Sequence, residues 1–221
     1  MPAMYLFGQN GKMAVGHRPS PQIEVPRPMM LSVMRAFAKA VANAEPHTAM
    51  HQDETARFAV LLARRLGLSA TSVRLIRLGA LLHDIGKIGI PPSLLLRPGP
   101  LSAAEFALVK EHPRLGWEIV SEIEFAVPVA TVIHQHHERL DGSGYPGGLG
   151  EGAIMPESLV VAVADMAHAM MSRRAYHAGM NQATVIRILE SDRGSRLPAD
   201  CVDVAVDLLR CERLWRASSL Q

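Results

Sequence analysis

A chain of 221 residues is long enough to bury one sizeable core, so one domain with one active site is expected. Hydrophobic residues reach 48% while aromatics stay at 5%, with no long β-branched alternation, and this balance favours an all-α protein. A formal net charge of +2 gives no concentrated basic stripe, so neither DNA nor RNA is expected as a partner, and apolar runs such as 126-AVPVATVI-133 are too short for a membrane span.

Residues 1–28 carry five prolines and no sustained periodicity, which reads as a flexible lead-in. From Met29 the apolar spacing turns helical, and 29–43 places Met30, Val33, Met34, Phe37 and Val41 on one face. Helices are then expected over 48–66, closed by Gly67, and over 70–84. The segment 86-GKIGIPPSLLLRPGP-100 is a loop with at most one helical turn, because three glycines and four prolines break the period. The string 102-SAAE-105 reads as a capping box that starts a helix over 103–111. Further helices are expected over 113–122, 126–137, 157–171, 181–190 and 200–214, with a tail over 216–221.

The N-terminus shows no secretory pattern, and Cys201 and Cys211 suggest reduced thiols rather than a disulfide framework, so a cytoplasmic location is the default. Histidines are the most informative residues. His51, His83, His112, His136 and His137 fall at or near expected helix ends or faces, and Asp84 and Asp165 join them. Imidazole and carboxylate together suit manganese, iron or zinc, and a carboxylate can bridge two ions. Seven candidates exceed the needs of one ion, which points to two. His83 and Asp84 sit about 100° apart if both are helical, so both can face one cavity only between flanking helices. Any single histidine, such as His17 or His134, is more often a surface or core residue than a ligand.

Two longer strings carry a family resemblance. The segments 82-LHDIGKIGIP-91 and 136-HHERLDGSGYP-146, with 112-HPRLG-116 and 160-VVAVADMAHAMMSRRAY-176, resemble the HD-GYP branch of the HD phosphohydrolases over about residues 30–210. The resemblance implies a single HD-type multi-helix domain over 29–215 with a metal centre between helices. It implies hydrolysis of the cyclic dinucleotide cyclic di-GMP to pGpG, with GMP as a further product, and two or three divalent ions, iron or manganese. Carried over position by position, the ligands are His51, His83, Asp84, His112, His136, His137 and Asp165, with Asp84 as the bridge. Lys87 matches a lysine and Arg174 an arginine that contact phosphate, and Gly142, Gly144, Tyr145 and Pro146 form the loop beside the substrate. That loop is also where the family meets partners such as GGDEF-type proteins. Two ions lower the pKa of a shared water that attacks phosphorus.

The chain departs from the family pattern in several places. In 45-EPHT-48, His47 stands where tyrosine or a third-metal glutamate is usual, and it is either a ligand or a tyrosine substitute. Glu54 and Leu159 replace common arginines, His168 replaces the second aspartate of an Asp-x-x-Asp pattern, and His177 replaces a basic phosphate contact. Glu138 and Asp141 read as loop-fixing residues rather than ligands. Two alternatives stand beside the phosphodiesterase: a non-catalytic module that binds nucleotide or a partner, and a hydrolase for another cyclic dinucleotide or phosphate ester.

Overall fold

The computed structural model describes Ser32, Ala36 and residues 48–123, 125, 127–172 and 179–211. Most of the expected 29–43 helix, the lead-in over 1–28, His47, Arg174, His177 and the tail over 216–221 lie outside the described residues. Those residues contain helices and no strand, apart from the isolated bridges Asp141 to Gly150 and Arg193 to Leu197. None of the helices is long and apolar enough to cross a membrane.

Helix α1 spans Thr48–Arg65 and stops at Gly67, whose φ of 71° is the left-handed turn predicted for that position. Helix α2 (Ala70–Leu82) starts where the Ser69 side chain accepts from the Ser72 amide. The expected helix over 70–84 is shorter than that, because the chain tightens at Asp84 into a 3-10 turn over Ile85–Gly89. The loop holds more helix than expected, since a one-turn α3 (Pro92–Leu95) follows the 3-10 turn. Both turns are short enough for the prolines and glycines to tolerate.

The capping box is present as read: Ser102 accepts from the Glu105 amide, and the Glu105 carboxylate accepts from Ser102, opening α4 (Ala103–Val109). Helix α5 spans His112–Ser121 and α6 spans Val129–Gln135, later and shorter than the expected 126–137, with Pro128 at its start. Helices α7 (Pro156–Met171), α8 (Gln182–Asp192) and α9 (Ala199–Cys211) complete the array. Helix α2 lies among α1, α6 and α7, and α8 and α9 close the far side through α7. The core between them includes Phe58, Leu62, Ile76, Leu81, Val132, Ile133, Val161 and Leu189, each essentially removed from water.

One contact ties the 3-10 turn to the core. A Cβ on Gly86 would stand 1.9 Å from the His112 carbonyl oxygen and 2.4 Å from the Gly116 nitrogen, so only glycine lets the turn lie against α5. Gly67 has the strained φ but open space around it. Gly86→Ala is expected to lower stability by about 1–3 kcal/mol through overpacking, against about 1 kcal/mol for Gly67→Ala. Urea unfolding followed by circular dichroism in the presence of chelator tests this, and equal losses would show that the turn can yield.

Candidate metal centre

Five segments bring the seven expected side chains together. Helix α1 supplies His51, the α2 exit supplies His83 and Asp84, the start of α5 supplies His112, the end of α6 supplies His136 and His137, and the middle of α7 supplies Asp165. His83 and Asp84 do not share a helix, contrary to the expected geometry. They converge because the backbone at Asp84, at φ −95° and ψ 6°, turns from α to 3-10.

The ligand-type atoms fall into two groups, His51 with His83 and Asp84, and His112 with His136 and His137, each within 4.8 Å. Asp84 faces both. Its Oδ2 lies 3.4 Å from His83 Nε2, and its Oδ1 lies 3.4 Å from His112 Nε2. Asp165 Oδ1 stands 3.0 Å from His51 Nε2 and 3.5 Å from His83 Nε2. His112 Nε2 is 3.3 Å from His136 Nε2. Residues i and i+3 eclipse in a 3-10 turn, which carries Lys87 Nζ to 2.9 Å from Asp84 Oδ2.

The rings are aimed by helix ends. His83 Nδ1 donates to the Ala80 carbonyl at 2.8 Å, His112 Nδ1 to Val109 at 2.8 Å, and His136 Nδ1 to Ile133 at 2.6 Å. Each carbonyl belongs to the last turn of α2, α4 or α6, where backbone oxygens lack a helical partner. A carbonyl only accepts, so Nδ1 carries a proton in each ring and Nε2 is the atom that faces the cluster.

Electrostatics separates the groups. Burial opposes charge on His83, but the Asp84 and Asp165 carboxylates prevail and push it up to about 10. Burial works against both carboxylates too, yet Lys87 and His83 hold Asp84, and His51 and His83 hold Asp165, well below the usual range. Burial keeps His112 and His136 low and pulls His137 down to about 3.

This donor set fits divalent ions. Neutral imidazoles and ionised carboxylates are the forms that bind metal; His112, His136 and His137 are held neutral, and His83 Nε2, buried without a hydrogen bond and facing two carboxylates, would exchange its proton for an ion. His83, Asp84, His112 and His136 are sealed off, whereas Asp165 and Lys87 retain 13% and 17% side-chain exposure and mark the open side.

The glycine-rich loop packs directly on this cluster. Buried Glu138 accepts from the Gly147 amide at 2.6 Å and the Leu149 amide at 2.9 Å, and Asp141 accepts from the Ser143 amide at 3.0 Å. Both are loop-fixing, as their position in the sequence suggests. A Cβ on Gly144 would lie 2.4 Å from Glu138 Cα and 2.5 Å from the His137 carbonyl oxygen. Gly142 has a φ of 75°, and the Tyr145–Pro146 peptide is cis. The Tyr145 ring stacks on His137 with centroids 4.6 Å apart.

Other chains resemble this one in sequence and fold. The sequence profile of the HD domain matches residues 35–200. This chain belongs to the HD domain family. The cyclic di-GMP phosphodiesterase response regulator RpfG of Xanthomonas campestris is 40% identical over 169 residues, 76% of this chain and 45% of that one. A 3′3′-cGAMP-specific phosphodiesterase 3 of Vibrio cholerae is 32% identical over 169 residues, 76% of this chain and 37% of that one. Among solved structures, Bd1817, a HDG"Y"P protein from Bdellovibrio bacteriovorus, superimposes with a TM-score of 0.64 at 25% identity, covering 83% of this chain and 64% of that one. The HD and GYP strings place the chain in the HD-GYP branch, and it spans less than half the length of these two curated relatives.

Some working residues escape sequence reading. Gln135 accepts from the Met155 amide at 2.8 Å and from Ser158 at 3.3 Å, fastening the start of α7 to the end of α6. Arg139 donates to the Glu138 carbonyl at 2.7 Å. Gln135 and Arg139 lie within the string around His136 and His137, and neither residue type marks a backbone clamp by itself. Of the departures, Glu54 pairs with Arg57 at 3.1 Å and Leu159 is buried, while His168 touches His51.

Glu138→Ala would strand two loop amides at a cost of about 1–3 kcal/mol. Hydrogen exchange is expected to rise over 142–149 while α6 stays protected, and unchanged exchange would show that the loop is held by something else.

Proposed function

We propose that this HD-GYP domain is a metal-dependent phosphodiesterase that opens cyclic di-GMP to pGpG, with GMP as a candidate second product. The observation that carries it is the Asp84 carboxylate, which turns one oxygen to each histidine group, as a residue bridging two ions must. In this reading His51, His83, Asp84, His112, His136, His137 and Asp165 hold two divalent ions, iron or manganese. Bound ions supply an activated water and neutralise phosphoryl charge. Lys87 adds a cation on the open side, where it can meet the phosphate oxygens. Arg174 and the loop of Gly142, Gly144, Tyr145 and Pro146 are proposed to hold the nucleotide, and the loop is the proposed face for a GGDEF-type partner.

The relatives support a cyclic dinucleotide as the substrate class. The Vibrio relative gives weight to a second reading, in which a mixed guanine–adenine cyclic dinucleotide is turned over instead.

Protein purified without oxygen and loaded with iron(II) or manganese is expected to convert cyclic di-GMP to pGpG, while Asp84→Ala loses bound metal and at least 100-fold of the rate, a loss of about 3 kcal/mol in transition-state stabilisation. Anion-exchange chromatography of the products, run beside 3′3′-cGAMP, reads the outcome. No turnover of either by protein holding two ions would sink the proposal.

A further inference from the structure

We infer that His168 is the positioning residue for His51, accepting its Nδ1 proton so that His51 Nε2 is free to hold metal; this rests on the metal-centre reading above. His83, His112 and His136 each give their Nδ1 proton to a carbonyl at the C-terminal end of a helix. His51 has no such partner within reach of the same rule, because it sits in the first turn of α1, where the carbonyls already serve the helix. The ring behind it is His168, on α7, with Nδ1 to Nδ1 at 2.5 Å, and Thr55 Oγ1 stands farther away at 3.4 Å.

The two rings meet nose to nose. Their centroids are 4.7 Å apart with planes inclined by 28°, a separation that the N···N contact and two ring radii account for, so the contact runs along the ring edges rather than face to face. One proton lies between two imidazole nitrogens, and one of them donates. Without an ion, His51 Nε2 donates to the Asp165 carboxylate at 3.0 Å; an ion can be taken only through an Nε2 lone pair, so metal binding puts the remaining His51 proton on Nδ1. His168 Nδ1 is then the acceptor, and its own proton sits on Nε2, 3.2 Å from Ser172 Oγ, which is also 3.2 Å from His168 Nδ1.

Asp165 and His168 are three residues apart on α7, so one helix face presents a carboxylate to His51 Nε2 and an acceptor to His51 Nδ1. His168 is buried, which keeps water from taking its place. The aspartate usual at this position in the resembling family would accept as well, so the imidazole preserves the acceptor while changing its chemistry. The role requires an acceptor, and mere volume does not meet it.

Manganese titration of the metal-free full chain, followed by calorimetry, separates the two. His168→Met fills the space without a nitrogen acceptor and is expected to weaken one of two manganese sites about 10- to 100-fold. His168→Asp is expected to restore it. The readout that does not depend on a variant folding is the ¹⁵N pattern of His51 in the wild type loaded with zinc, a diamagnetic ion, where Nδ1 protonated and Nε2 without a proton is expected. The opposite tautomer overturns the inference, as does His168→Met binding both ions as tightly as wild type, or His168→Asp failing alongside it. Wild type that binds no manganese would overturn the metal-centre reading and this inference together, whereas two tight sites in both wild type and His168→Met overturn this inference alone.

Discussion

The centre depends on a use of helix ends. A helix leaves its last carbonyls without partners, and a histidine placed just beyond can satisfy one of them with Nδ1. His83, His112 and His136 all do so. The same hydrogen bond that finishes the helix therefore fixes the ring's tautomer and its direction. The lengths of α2, α4 and α6 are in this sense part of the site, since one more turn in any of them would carry its imidazole away from Asp84.

A polar cluster inside an apolar bundle would ordinarily be expensive. Here the cost is contained in two ways. The histidines near α5 and α6 stay neutral, and the two carboxylates share the charge of His83 and Lys87. The sealed side faces the bundle and the exposed edge carries Lys87 and Asp165, so the cluster is accessible from one direction.

Periodicity made the long helices legible, because Gly67, Ser69 and the Ser102–Glu105 box mark their ends chemically. The residue types at the centre were legible for a similar reason: paired histidines and aspartates in otherwise apolar helices have few other uses. Their convergence was not. His83 and Asp84 were expected on one helix, and the change to 3-10 geometry at Asp84 depends on Gly86 meeting the backbone of α5, a tertiary contact with no local signature. The supporting layer was hidden by the same limit. Gln135 and Arg139 act on backbone atoms brought to them by the fold, and Leu159 is buried where its family counterpart is charged.

The glycine at 144 has a wider implication. With no side chain it lies against the backbone of His137, Glu138 and Arg139, and the loop it belongs to is clamped to the same stretch through Glu138. Loop and histidine pair move as one piece. If the loop holds a nucleotide as proposed, remodelling it for a different one would tug on the imidazoles beneath it, so selectivity and reactivity would be coupled and an engineer would have to trade one against the other.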